Sequence, residues 1–252
     1  MLKTSKFILL LAISAALVTP LRAIERHFTY TYEAATLPKG TLEIENWATW
    51  KTRPHGHNDT DEFDFRHEFE YGVTDHLQAS LYVADWSLTD DPQHNRSARY
   101  HDTAVEVIYN LTNPVTDFLG SAIYGEVQVG DHFVELEGKL LLQKNFGPWV
   151  VAYNAALEAQ WEGSHLDEHN GEFSQALGIS YEVIPQFSVG AELLHEVDIP
   201  NWKKSEPSVL YAGPNASFRS GNWYATVTPL IQLTDRQDEF DLQTRVIVGV
   251  HF

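Results

Sequence analysis

From residue 40 to the C-terminus, apolar and polar side chains alternate with a period of two, and helical spacing does not recur. The segment 61–71 shows the pattern. Glu62, Asp64, Arg66, Glu68 and Glu70 fall on one face, and Phe63, Phe65, His67, Phe69 and Tyr71 on the other. In 133–144, Glu135, Glu137, Lys139 and Gln143 oppose Val134, Leu136, Leu140 and Leu142. In 149–162, Asn154, Glu158, Gln160 and Glu162 oppose Trp149, Val151, Tyr153, Leu157 and Trp161. Twelve such segments are predicted, at 40–53, 61–71, 76–86, 98–111, 118–130, 133–145, 149–162, 171–182, 187–198, 208–218, 223–233 and 240–252.

The connectors fall into two sets. One is tight and carries turn residues, as in Gly72-Val73-Thr74-Asp75, Asn145-Phe146-Gly147-Pro148 and Arg219-Ser220-Gly221-Asn222. The other is mostly longer and charged: 54–60, 87–97, 163–170, 199–207 and 234–239. A strand spanning a bilayer needs about 9–11 residues, and short turns at one end with longer loops at the other mark a transmembrane barrel. Trp50, Trp86 and Trp161 close strands at the loop end, and Trp149, Phe187 and Trp223 open them after short turns. Such rings form at the two membrane interfaces. A soluble β-sandwich would alternate in the same way, but strand length and loop asymmetry favour the barrel. The expected fold is all-β: a single twelve-stranded antiparallel transmembrane β-barrel of meander topology over residues 40–252. An even strand number places both chain ends on the short-turn side.

Residues 1–23 read as a cleavable signal peptide. Lys3 and Lys6 precede the apolar run Phe7–Val18, Pro20 breaks it, and Ala23 is a small residue at the cut. The run has 12 residues, short of the roughly 20 that a spanning helix needs. Residues 24–39 are expected to be a periplasmic N-terminal segment acting as a simple tether. The alternatives are a segment lying across the barrel mouth or entering the lumen.

Charge narrows the function classes. The chain carries 17 basic and 35 acidic residues, a formal charge of -18. Loss of 1–23 removes Lys3, Lys6 and Arg22 and leaves 14 basic residues against 35 acidic, or -21. Nucleic acid is not an expected partner, because phosphate contacts need a basic face. The chain has no cysteine, which excludes disulfides, thiolate metal sites and cysteine nucleophiles.

Charge on a lipid-facing wall is costly, so the charged face must point inward. The expected lumen-lining residues are Glu43, Glu45, Glu62, Asp64, Arg66, Glu68, Glu70, Glu106, Glu126, Glu135, Glu137, Lys139, Glu158 and Arg245, with Glu192 and Lys51 beside them. Two readings follow. A water-filled lumen of this kind favours cations. A closed interior would be held by a network around Arg66, Lys139 and Arg245. Carboxylates outnumber cations too heavily for complete pairing, and isolated buried charge is prohibitive. A hydrated lumen is therefore expected, serving as a narrow channel or transporter for small solutes. The alternative is a closed structural or surface-binding barrel whose loops contact a ligand.

The chain ends Arg245-Val246-Ile247-Val248-Gly249-Val250-His251-Phe252. This resembles the closing strand of Gram-negative outer-membrane barrels, which end in phenylalanine after apolar residues at every second position. The resemblance implies insertion into outer-membrane lipid, with Val246, Val248, Val250 and Phe252 as the signal read by the barrel-assembly machinery. The run Glu70-Tyr71-Gly72-Val73-Thr74-Asp75-His76-Leu77 also resembles a hairpin of putative transporter barrels and of an uncharacterised proteobacterial barrel family.

Two loop clusters combine imidazole and carboxylate: His55, His57 and Asp59, and His165, Asp167 and His169. Such donors suit zinc, copper or nickel, but no spacing here matches a defined metal motif, and ordinary solvated loop composition also explains them. No cofactor follows from the sequence, and no oligomeric state. An enzyme is not expected. Outer-membrane phospholipases carry His-x-Ser-Asn-Gly on one strand, and that run is absent here. Acidic pairs such as Glu62/Asp64 are explained by alternation on an inner wall without catalysis.

Overall fold

The computed structural model describes residues 26–52, 60–91, 94–237 and 239–252. The expected signal peptide, 1–23, lies outside the described residues. Among the described residues there are twelve strands. The first six are β1 (Leu42–Thr52), β2 (Asp61–Thr74), β3 (Leu77–Asp91), β4 (His94–Thr112), β5 (Gly120–Gly130) and β6 (Phe133–Phe146). The others are β7 (Trp149–Glu162), β8 (Glu168–Ile184), β9 (Phe187–Pro200), β10 (Val209–Ser220), β11 (Trp223–Gln232) and β12 (Leu242–His251). Each strand pairs antiparallel with its chain neighbours, and β1 also pairs with β12, so the barrel closes without an edge. Closure satisfies every ladder within the wall, which is what lets strands cross hydrocarbon.

The alternation in the sequence becomes the two faces of this wall. Phe69, Leu81, Val107, Ile123, Leu136, Leu140, Leu157, Leu177, Val227 and Val248 project outward and are exposed. Their neighbours Glu68, Glu106, Glu126, Glu137, Asn154 and Thr226 are buried in the interior. The short turns close tightly. Gly221, for example, sits at φ +63°, a left-handed conformation that glycine adopts without a Cβ penalty.

At the loop end, three strands run furthest beyond their alternation. β3 and β4 extend through most of the segment expected to be the 87–97 loop, with Ser87, Leu88 and Thr89 opposite Arg99, Ala98 and Ser97. β8 likewise begins at Glu168. Where a hairpin rises beyond the apolar belt, neither face meets lipid. Backbone pairing then continues while the period-two signal fades.

The tether expectation is overturned. Residues 26–37 fold back into the barrel and fill the half nearer the short turns. Phe28 and Ala34 are 0% exposed, and Thr29, Tyr30, Thr31, Tyr32 and Leu37 are also buried. Phe28 fits because β8 offers Gly178 at that point: a Cβ there would lie 2.6 Å from the Phe28 ring. Tyr32 and Ala34 pack with Trp47, Ile108, Ala122, Tyr124, Leu141, Tyr224 and Ile247. Tyr30 packs with Ala176, Leu194, Val209, Tyr211 and Leu230. The inward face was read as polar and charged, but it also carries these apolar and aromatic residues, and they bury the segment.

The outward face generates a stability prediction. Leu140 is 45% exposed near the middle of β6. Leu140→Arg should destabilise the barrel in bilayers by about 2–4 kcal/mol, and the inward change Gln160→Arg by less. Reversible unfolding in lipid vesicles measures both. Equal costs would contradict this assignment of faces.

Candidate functional site

The segment 26–37 forms no ladder of its own, so its backbone groups need partners elsewhere. The wall supplies them through side chains. On β9, Glu192 accepts from three successive amides: Thr29 N–H, Tyr30 N–H and Thr31 N–H, each at 2.8 Å. Thr228 on β11 donates its hydroxyl to the same carboxylate at 2.6 Å. Asn154 on β7 bonds Tyr32 twice, accepting from its N–H at 2.6 Å and donating to its carbonyl at 2.9 Å. Gln143 accepts from Ala34 N–H, and Asn110 donates to Ala34 O, both at 2.7 Å. Gln78 accepts from Leu37 N–H at 2.9 Å. At the other end Asn215 donates to His27 O, and Ser217 and Thr226 donate to Arg26 O. These contacts read backbone rather than side chain. Together they make the segment a plug.

Cations clamp the plug's aromatic rings. Arg245 lies 4.1 Å from the Tyr30 ring centroid, and its Nη1 donates to Thr29 O at 3.3 Å. Lys139 sits between Tyr32 and Tyr124, at 4.4 and 4.2 Å from their centroids. Arg26, from the plug itself, lies between Tyr32 and Trp47 and pairs with Glu45 at 2.9 Å. Arg66 covers Tyr82 and pairs with Asp85. A desolvated cation over a ring is worth up to about 2 kcal/mol. These contacts therefore fix both the rings and the few basic groups of the lumen.

Beyond the plug the interior opens. A cavity of about 380 Å³ is lined by Glu126, Glu135, Glu137, Glu158, Glu172 and Glu196, with Lys139 and Arg245. A vestibule of about 910 Å³ continues to the loops. Its acids include Glu62, Asp64, Asp85, Asp102 and Glu162, and its cations are Lys51, Arg66, Arg99 and Arg245. On the short-turn side a cleft of about 60 Å³ lies between plug and wall, beside Glu43, Glu45 and Glu70.

The register arranges the acids into a row. Glu106 on β4 stands opposite Glu126, Glu126 opposite Glu137, Glu137 opposite Glu158, Glu158 opposite Glu172 and Glu172 opposite Asp198. In the other direction Glu106 faces Ser80, Ser80 faces Glu70, and Glu70 faces Glu43. Strands in such a barrel tilt, so a line of paired positions climbs as it circles. The row starts at Glu43, one residue inside the start of β1, and ends at Asp198, two residues before the end of β9. Directly opposed like charges are destabilising. Lys139 relieves one position, with its Nζ 2.9 Å from Glu137. Elsewhere neutral donors serve, the Tyr82 hydroxyl on Glu106 and the Tyr124 hydroxyl on Glu126.

The residues singled out in the sequence are distributed as follows. Glu43, Glu45, Glu68, Glu70, Glu106, Glu126, Glu135 and Glu137 are buried in the interior. Glu62, Asp64, Arg66, Lys139, Glu158 and Arg245 line the cavities above the plug. Val246, Val248, Val250 and Phe252 share the outer face at the closing strand. His55, His57 and Asp59 lie outside the described residues. His165 and Asp167 are exposed in the turn before β8, His169 is exposed on β8 opposite Trp161, and the three are not gathered into a chelating set. Among the described residues, the group of three whose ligating atoms converge is Glu45, Glu68 and Glu70. The plug-holding residues Gln78, Asn110, Asn215, Ser217, Thr226 and Thr228 were not singled out. Their only signal in the sequence is an uncharged polar side chain on the inward face.

The bond set predicts how the plug can be loosened. Glu192→Gln places an amide N–H₂ against a backbone donor, and a buried unsatisfied group costs about 1–3 kcal/mol. In a chain without cysteine, Ala34→Cys reports exposure of the plug. Its reaction with a water-soluble maleimide should accelerate about tenfold or more when Glu192→Gln is added, since 1.4 kcal/mol is a factor of ten. An unchanged rate would show that Glu192 does not hold the segment.

Comparison with known proteins fits this architecture. Among solved structures, the chain resembles the COG4313 outer-membrane channel from Pseudomonas putida F1, with a TM-score of 0.58 and 14% identity over 89% of this chain and 100% of that one. It also resembles the NanC porin, with a TM-score of 0.53 and 11% identity over 84% and 98% of the two chains. A third is the translocator domain of the autotransporter NalP from Neisseria meningitidis, with a TM-score of 0.52 and 13% identity over 86% and 89%. At these identities the likeness is one of fold: the chain is a β-barrel of the outer-membrane type. No curated protein sequence matches it. The sequence matches a family model over residues 21–247, nine-tenths of its length, and the protein accordingly belongs to the family of unknown function DUF6662.

Proposed function

We propose that the protein is a narrow channel of the Gram-negative outer membrane, passing small cations and neutral solutes, with residues 26–37 as its gate. The observation that carries this reading is the row of carboxylates climbing the inner wall from Glu43 to Asp198. Like charges in direct register oppose folding, and a structural role alone is served better by neutral or paired side chains. Rings and rows of acids in a pore attract cations and repel anions. Besides its apolar packing, the plug is attached through hydrogen bonds and cation–ring contacts, and water can replace the hydrogen bonds. In this reading Val246, Val248, Val250 and Phe252 serve insertion by the assembly machinery, and the outward apolar face meets outer-membrane lipid.

The many hydrogen bonds from the wall to the plug's backbone favour a second reading, a permanently closed barrel that displays its loops for binding. Conductance separates the two. Folded, heat-modifiable protein in a planar bilayer under a salt gradient should show discrete current steps with a reversal potential on the cation side. Glu137→Gln with Glu158→Gln should lower the cation-to-anion permeability ratio several-fold, because both residues line the cavity above the plug. Steps with an unchanged ratio would remove the acid row from the pathway. Silence from folded protein, persisting with Glu192→Gln, would establish the closed barrel.

A further inference from the structure

We propose that Glu45, Glu68 and Glu70 bind a calcium ion at the foot of the inner wall, beside the plug. Each offers a carboxylate oxygen, and these three oxygens lie within 4.8 Å of one another. Three points so placed share a centre no more than about 2.8 Å from each, close to the ~2.3–2.6 Å of calcium–oxygen bonds. All three residues are buried, Glu68 with 1% exposure.

Glu68 is the observation that points to a ligand. Neither of its carboxylate oxygens has a hydrogen-bond partner, although the residue sits inside the barrel and faces the cluster. A buried carboxylate without partners is strongly disfavoured unless a cation meets it or a proton neutralises it, and of the two only a cation also draws the neighbouring carboxylates together. Nearby groups do not meet that need. Arg26 pairs through Nη1 with Glu45, and its Nε and Nη2 bond to nothing. His251 lies 2.9 Å from Glu43. Glu70 takes a bond from the neutral amide of Gln78 at 2.8 Å. Glu68 and Glu70 thus make no direct ion pair, the single charge of Arg26 is shared among three carboxylates, and a dication balances the remainder. The donors are all carboxylate oxygens, with no nitrogen or sulfur, which suits a hard cation rather than zinc or copper. Calcium tolerates irregular oxygen shells, whereas magnesium demands near-ideal octahedral geometry. The adjoining cleft of about 60 Å³, lined by Glu45 and Glu70, has room for the few waters that complete such a shell.

Terbium tests the site in detergent-solubilised, folded protein after treatment with a chelator. The assay needs no conduction, so its result is independent of the channel reading. The Trp47 indole N–H donates to Glu45 Oε2 at 2.7 Å, which places a sensitiser beside the ion. Terbium emission excited through tryptophan should saturate at one ion per chain and be displaced by calcium. Glu68→Gln should lower it at least tenfold, while Asp167→Asn in the loop leaves it unchanged. If Glu68→Gln does not fold, Glu70→Gln serves in its place. No saturable emission from folded protein would overturn the proposal. So would emission equal to the parent in folded Glu68→Gln and Glu70→Gln, which would place the ion elsewhere.

Discussion

Three successive backbone amides of the N-terminal segment converge on the Glu192 carboxylate, and the closed half of the barrel depends on that contact. A segment without ladder partners can enter a protein interior only if every polar backbone group finds an acceptor or donor. Charge-assisted bonds to a carboxylate are the strong form of that solution. Glu192 acts at the turn of the segment, and Asn154, Gln143, Asn110 and Gln78 continue around the wall. The apolar contacts follow from this. With these backbone groups paired, Phe28 buries its ring against β7, Tyr30 against β8 to β11, and Tyr32 against β1, β4 to β6, β11 and β12.

The second constraint is charge. The lumen holds many carboxylates and few cations, and nearly every cation of the plug region stacks on a ring as well as meeting an acid. Lys139 touches Tyr32, Tyr124 and Glu137. Arg26 touches Tyr32, Trp47 and Glu45. Rings hold the cations where the acid row passes. The phenols of Tyr82 and Tyr124 donate to Glu106 and Glu126, so that the narrowest level of the interior contains donors as well as acceptors. The polar interior is therefore divided. It is packed and donor-rich at the level of the plug, and open and acid-rich above it.

Much of this was legible in the sequence. Period-two alternation, turn residues and the terminal Val246-Ile247-Val248-Gly249-Val250-His251-Phe252 pointed to twelve strands and to the face each side chain occupies. Alternation reports a contrast between two environments, and so it faded where β3, β4 and β8 rise beyond the apolar belt. Register is a different kind of information. No local pattern states that Glu126 will face Glu137 or that Glu158 will face Glu172, because that depends on how turn lengths propagate around the closed sheet. The fate of residues 26–37 was hidden for a related reason. Phe28, Tyr30 and Tyr32 look like the start of another strand. What draws them inside is Glu192 together with uncharged polar residues on six other strands, invisible until the barrel brings them together.

The two constraints are coupled through Arg26. It is a plug residue, yet it neutralises Glu45 on the wall. Withdrawal of the segment removes that positive charge from the lumen along with the rings that position Lys139 and Arg245. It also leaves Glu192 without the amides it accepts from. An opened barrel would therefore be more acidic than the closed one, at the same level where the cleft beside Glu43, Glu45 and Glu70 is narrowest. Cations in solution would stabilise that state by taking the place of Arg26, and anions would not. On the proposed channel reading, the balance between plugged and open forms would then be tied to the cation concentration through the Arg26–Glu45 ion pair.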